Sequence, residues 1–209
     1  MLKPSISCEN LSKKYIRQWI YRDLNYKFEH GRSYAITGNN GSGKSTLIKS
    51  ISGALLATKG DIKYFDQQGK AISDEEIYKY LIYVAPYFDL IEEFTLNEAL
   101  DFHFSFKPLV KGIKMEDLPK KMLLDGAQNK FIKHFSSGMK QRLKLGLAFF
   151  SDVPVVLLDE PCTNLDETGI TWYKKQMQEI HSKRLIIISS NQKFEYELAD
   201  FVLNMIDYK

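Results

Sequence analysis

The sequence predicts an α/β fold in which a mostly parallel central sheet carries an antiparallel β flank and an inserted helical subdomain. Three observations lead there. Short strand-like runs alternate with helical segments along the 209 residues, the pattern of βαβ units. The stretch Gly38-Asn39-Asn40-Gly41-Ser42-Gly43-Lys44-Ser45-Thr46 fits the phosphate-binding pattern G-x-x-x-x-G-K-[ST], which needs a strand before it and a helix after it. Two late runs, 153–158 and 185–188, are apolar on both faces, as central strands of a parallel sheet are.

Taken in order, strands are expected near residues 6–9, 21–27, 34–37, 61–65 and 81–85, and those flanking the phosphate motif early in the chain form the antiparallel flank. A helix begins at the end of the motif, through Thr46-Leu47-Ile48. From about residue 86 to 150 the texture turns helical. Thr95-Leu96-Asn97-Glu98 has the spacing of a capping box and opens a helix through Phe104, because a Thr hydroxyl and a Glu carboxylate three residues apart can each satisfy the other's backbone N–H. A second helix is expected over about 116–124 and a third from Ser137 through Ala148. The domain organisation read here is a single domain over 1–209, its core at about 1–85 and 151–209 and its helical subdomain at about 86–150.

Composition narrows the class of partner. The 29 Lys and Arg against 26 Asp and Glu leave only +3, and the basic residues are scattered, so no electrostatic footprint for nucleic acid is expected. Cys8 and Cys162 have no CxxC spacing, which reads as free thiols in a reducing compartment, the cytoplasm. The segment Met1-Leu2-Lys3-Pro4-Ser5 lacks the apolar core of a signal peptide, and no run approaches a membrane span. A membrane role would have to come through another chain.

The chemistry-bearing residues fall into three groups. In the phosphate motif, glycines at 38, 41 and 43 allow successive N–H groups to turn inward around phosphate oxygens. Lys44 adds a point charge there, and Ser45 offers a hydroxyl to Mg²⁺. The apolar run Val155-Val156-Leu157-Leu158 ends in Asp159-Glu160; at a strand's carboxyl end Asp159 can hold Mg²⁺ through its water shell, and Glu160 can polarise an attacking water. Phe135-Ser136-Ser137-Gly138-Met139 is a second small-residue helix start, either an anion site formed by exposed N–H groups and the Ser136 hydroxyl or an ordinary N-cap.

The order of these groups, phosphate motif, Ser-Ser-Gly helix start, Leu-Leu-Asp-Glu-Pro and then Thr163-Asn164-Leu165-Asp166, resembles the nucleotide-binding subunits of ATP-binding-cassette (ABC) transporters across nearly all of the chain. In that resemblance residues 38–46 are the Walker A loop, Ser136-Ser137-Gly138 the signature, Asp159-Glu160 the Walker B end, and Asp166 lies in the D-loop. The resemblance implies an ABC-type ATPase with ATP and Mg²⁺ as cofactors, a head-to-tail homodimer or cassette–cassette dimer sandwiching ATP, and membrane-spanning partner subunits. It also implies a place at the inner face of the cell membrane. Tyr15 stands near where the family puts the ring that stacks on adenine, although Trp19 or Tyr21 could serve, since stacking needs only a flat apolar ring.

Two departures bear on turnover. Pro86 occupies the place of the family's glutamine near the γ-phosphate, and Asn191 that of its switch histidine. Asparagine can donate a hydrogen bond but cannot become cationic, so slow hydrolysis is expected. Two alternatives stay open: a soluble, non-transport ABC-type ATPase, and a regulatory ATP-binding module with little hydrolysis. The aromatic run Tyr87-Phe88 through Phe94, followed by Phe102, Phe104 and Phe106, reads either as internal packing or as the groove for a partner's helix.

Overall fold

The computed structural model describes residues 3–209. Of the N-terminal segment read above for a signal peptide, Met1 and Leu2 lie outside the described residues. Two compact units form: one from the chain up to Tyr83 with Pro154–Glu160 and His181–Lys209, the other from Val84–Val153 with Pro161–Ile180.

The first unit holds both sheets. Strands β1 (Ser5–Tyr15), β2 (Gln18–Phe28), β4 (Lys59–Phe65) and the short β5 (Ala71–Ile72) make an antiparallel sheet of order β2-β1-β4-β5. The second sheet has the order β6-β7-β8-β3-β9, from β6 (Leu81–Val84), β7 (Val155–Asp159), β8 (Leu185–Ser189), β3 (Ser33–Thr37) and β9 (Phe201–Asn204). Its β7–β8, β8–β3 and β3–β9 pairs are parallel. The two apolar runs sit inside this sheet as expected, every residue of β7 and β8 buried. The strand leading into the phosphate loop, β3, belongs to the parallel sheet and not to the antiparallel flank, because its own four buried residues need cover on both faces.

Helix α1 (Lys44–Ile51) packs Leu47, Ile48 and Ile51 into a core shared by the two sheets, with Ile6, Leu24, Phe28, Val155 and Leu157. The burial of this many aliphatic and aromatic side chains, about 1.5–3 kcal/mol each, fixes the strand from which the phosphate loop departs and the helix it enters. Cys8 is free and buried here, its thiol pushed up to about 12 by burial.

The second unit is built on α2 (Leu96–Phe106), the one-turn α3 (Leu118–Lys121), α4 (Ser137–Phe150) and α5 (Glu167–Ile180). The capping box at Thr95 forms: the Thr95 N–H donates to Glu98 Oε2 at 2.7 Å and the Glu98 N–H to Thr95 Oγ1 at 3.3 Å. Leu96, Leu100, Leu118, Met122, Leu143 and Leu147 close the core between α2, α3 and α4. The helix expected over 116–124 is shorter, a 3₁₀ turn at Met115–Asp117 and then α3. It stops where Leu123 takes a φ of 56°, a left-handed value that ends a helix. Sequence reading passed over α5. Among the described residues no helix is long and apolar enough to cross a membrane.

Candidate functional site

The phosphate loop takes its shape from where its glycines stand. Gly38, Gly41 and Gly43 have φ values of 137°, 77° and 104°. Gly43 is the N-cap of α1, and a Cβ there would meet Ile20 Cγ2 at 2.5 Å, closer than packed carbons approach. The loop is fastened by Ser42 N–H to the Asn39 carbonyl at 2.9 Å and Leu47 N–H to the Gly43 carbonyl at 2.8 Å. No side chain caps α1, so its first N–H groups remain for an anion.

Lys44 is 5 % exposed, and its ammonium donates to the carbonyls of Gly38 at 2.9 Å and Asn39 at 3.3 Å. Burial lowers its pKa, opposed by the nearby Glu160 and Asp159 carboxylates. The ammonium is thereby held over the loop, where β- and γ-phosphate oxygens would sit. Ser45 Oγ donates to Asp159 Oδ1 at 3.1 Å, joining the first turn of α1 to the end of β7. These two oxygens are hard donors of the kind Mg²⁺ takes. No group of three His, Cys, Asp or Glu that could hold a metal occurs among the described residues, so the ion's remaining ligands would be phosphate oxygens and water.

Glu160 follows at φ 44° with its N–H on the Ser189 carbonyl at 2.8 Å. A bulky residue in that region is under backbone strain, which turns the chain sharply where β7 ends. Asn191, 151 residues from the loop in sequence, donates its amide to Asn40 Oδ1 at 2.6 Å. It lines a cleft of about 710 Å³ with Gly38, Asn39, Asn40 and Tyr196.

Sequence reading did not single out Tyr83. Its hydroxyl oxygen is buried, and burial together with the adjacent Asp159 carboxylate holds its pKa well above the usual phenol range. Only the sheet order, β6 beside β7, brings it to Asp159.

The three rings weighed for stacking divide cleanly. Tyr21 is fully buried with its hydroxyl 2.9 Å from Ser50 Oγ, so it belongs to the core. Tyr15 is 48 % exposed with the Lys13 ammonium 5.1 Å from its ring centre. Trp19 is half-buried, with Lys14 and Lys59 at 5.2 and 5.7 Å.

In the helical unit Ser136 is the N-cap of α4, its Oγ accepting from Met139 N–H at 3.2 Å, and both Ser136 and Ser137 are exposed. A Cβ on Gly138 would stand 3.0 Å from the Asn164 carbonyl, a close approach that favours glycine. Asp166 caps α5 by accepting from Gly169 N–H at 2.8 Å. Gln141, 3 % exposed, donates to the Pro161 carbonyl at 2.7 Å. Lys144 donates to the Pro86 carbonyl at 2.8 Å and Lys140 pairs with Glu92. Two lysines one turn apart thus tie the 86–92 loop to the helix that begins at the Ser-Ser-Gly.

This geometry has close counterparts. The family model described as ABC transporter matches residues 21–163. The chain belongs to the ABC transporter family. It is 31 % identical over 204 residues, 94 % of its own length and 90 % of the relative's, to YybJ of Bacillus subtilis, an uncharacterised ABC transporter ATP-binding protein. A structure described as the ATP-binding subunit of an ABC transporter superposes with a TM-score of 0.80 at 28 % identity, over 96 % of this chain and 86 % of that one. A dimeric ATP-binding cassette in a post-hydrolysis state, bound to ADP and Pi, shares the fold with a TM-score of 0.80 at 19 % identity, over 95 % of this chain and 93 % of that one. The cassette fold thus extends over essentially the whole of this ABC family member.

Proposed function

We propose that this cassette binds ATP on Gly38, Asn39, Asn40, Gly41, Ser42, Gly43, Lys44, Ser45 and Thr46, with Tyr15 stacked on the adenine. ATP turnover there drives membrane-spanning partner chains. The observation that carries this is the convergence of Lys44, Ser45, Asp159 and Glu160 on one loop, with Lys44 and Asp159 both buried. Mg²⁺, held by Ser45 and Asp159, would supply neutralising charge to the β- and γ-phosphates. Glu160 accepts the proton of the attacking water as its oxygen bonds to the γ-phosphorus and the bond to the β,γ-bridging oxygen breaks. Lys44 offsets the charge gathering on the phosphate oxygens.

The other wall of the site comes from a second cassette, whose Ser136, Ser137 and Gly138 meet the γ-phosphate and whose Asp166 segment lies alongside. The exposure of both serines at the start of α4 supports this, as does the dimer of the ADP- and Pi-bound relative. Tyr87 and Phe88, 90 % and 44 % exposed, offer apolar anchors for a membrane-spanning partner's helix, which would bring the cassette to the membrane face.

A second reading is a regulatory module that binds ATP and hardly turns it over. Pro86 has no side-chain amide, and Asn191 spends its amide on Asn40. Phosphate-release kinetics separate the two. Slow turnover is expected, and Asn191→His should raise kcat several-fold with ATP affinity little changed, the pattern of an interaction made in the transition state. A chain that binds ATP, releases no phosphate and is not awakened by Asn191→His favours the regulatory reading.

A further inference from the structure

We propose that Asn40 is a positioning residue: its side-chain oxygen holds the Asn191 carboxamide at the phosphate loop, and the N–H left over on Asn191 is the donor that tells a triphosphate from a diphosphate. This rests on the ATP-site reading above and adds to it a partner for Asn191 within the loop itself.

Strand order brings the two asparagines together. β3 and β8 are parallel neighbours with Ile36 opposite Ser189, so the chain leaves both strands at the same carboxyl edge of the sheet, the edge at which such sheets bind ligands. The Ser190 N–H carries the ladder one step past β8 by donating to the Ile36 carbonyl at 3.2 Å, and the Glu160 N–H donates to the Ser189 carbonyl at 2.8 Å. Ser189 and Ser190 are fully buried. The Ser190 hydroxyl then accepts from the Gln192 N–H at 2.8 Å, closing a tight turn with Asn191 at its exposed tip. On the neighbouring strand, β3 runs into the phosphate loop, where the Ser42 N–H on the Asn39 carbonyl at 2.9 Å folds the exposed Asn40 into a turn of its own. Two side chains in solvent thus stand on backbone that is held, and Asn191 Nδ2 donates to Asn40 Oδ1 at 2.6 Å. The cleft beside them is lined by Gly38 and Asn39 of the same loop.

The consequence concerns the last phosphate. A carboxamide carries two N–H donors; with one of them on Asn40, the Asn191 group is fixed in orientation and one donor remains for an anionic oxygen beside the loop. An asparagine without that restraint turns among its rotamers in solvent and has to be ordered by the ligand, which weakens binding. The γ-phosphate brings oxygens that ADP lacks, so the contribution of the held donor falls on the triphosphate. Asparagine at 191 therefore works as half of a pair, its other half being the side chain of Asn40.

The test is displacement of a fluorescent ADP analogue from dilute protein in Mg²⁺, by ADP and by non-hydrolysable β,γ-imido ATP, using the unaltered chain, Asn40→Ala, Asn191→Ala and the double variant. The ratio of the two affinities is the readout, because damage to the phosphate cradle or to the fold falls on both nucleotides alike. Preference for the triphosphate should drop about five- to tenfold in each single variant, as loss of one hydrogen bond to a charged oxygen implies. The double variant should lose no more than either single one, the signature of two groups acting through one contact. An unchanged preference in Asn40→Ala, a double variant whose loss is the product of the two single losses, or an unaltered chain that binds both nucleotides equally overturns the assignment. Failure of the unaltered chain to bind the fluorescent ADP analogue at all overturns the site reading itself, and the role of Asn40 with it.

Discussion

The sheet unit and the helical unit carry their functional groups in opposite ways. In the sheet unit the side chains that matter are buried and already engaged: Lys44 and Asp159 are 5 % and 4 % exposed and bound to backbone carbonyls and to Ser45 respectively. In the helical unit Ser136 and Ser137 stand in solvent, and Tyr87 and Phe106 are 90 % and 72 % exposed. The first arrangement would suit a small charged ligand with little rearrangement. The other presents surface that only a further molecule would cover. Preorganised donors around a buried lysine favour phosphate binding, whereas exposed aromatics and an open helix start are features of an interface.

The largest effect that sharpens this contrast is at Lys44. Replacing it with Ala removes the cation from the loop while leaving the glycine turns in place, so ATP affinity should fall by about a hundredfold or more. The cooperative unfolding of both units should persist. Equilibrium binding with circular dichroism checks both halves, and near-normal ATP affinity would break the assignment of the loop.

A smaller effect lies in the helical unit alone. His103 on α2 is 2.8 Å from Ser151 Oγ, and burial, with help from Lys107, lowers its pKa from 6.5 to about 4. Between those values the unfolded chain takes up a proton that the folded chain refuses, so stability is present above pH 6.5 and drains as the pH falls towards 4. Partial exposure trims the effect, leaving about 1–2 kcal/mol of loss between pH 7 and 5. Urea unfolding at both pH values should show that loss in the unaltered chain and a smaller one in His103→Gln. Equal losses would mean that the imidazole is not held neutral by the fold.

The same contrast explains what could be read from the chain beforehand. The phosphate loop and Asp159-Glu160 were legible because backbone geometry demands certain residues at fixed spacing: Gly43 has Ile20 against it, and β7 is apolar throughout. The capping box at Thr95 was legible for the same reason. Contacts set by tertiary neighbours were not. Tyr83 reaches Asp159 through strand order, and Lys144 finds the Pro86 carbonyl 58 residues away. Edge strand β9 was passed over because Phe201 and Val202 are exposed and the strand has only four residues. Helix α5 did carry a sign, Asp166 three residues before Gly169, but that aspartate had been read only as part of a D-loop. The left-handed turn at Glu160 has no sequence marker, since the residue there is not glycine or asparagine.

The shared site is tested most directly by the mass of the Glu160→Gln variant with Mg²⁺ and ATP. That change keeps the shape of the side chain and removes the base, so ATP should bind and stay uncleaved between two copies. Light scattering should then give twice the 24.2 kDa of the chain, returning to the single-chain mass when Lys44→Ala is added. A variant that binds ATP tightly yet stays at 24.2 kDa across micromolar protein concentrations would contradict an ATP site completed by Ser136, Ser137 and Gly138 of a second cassette.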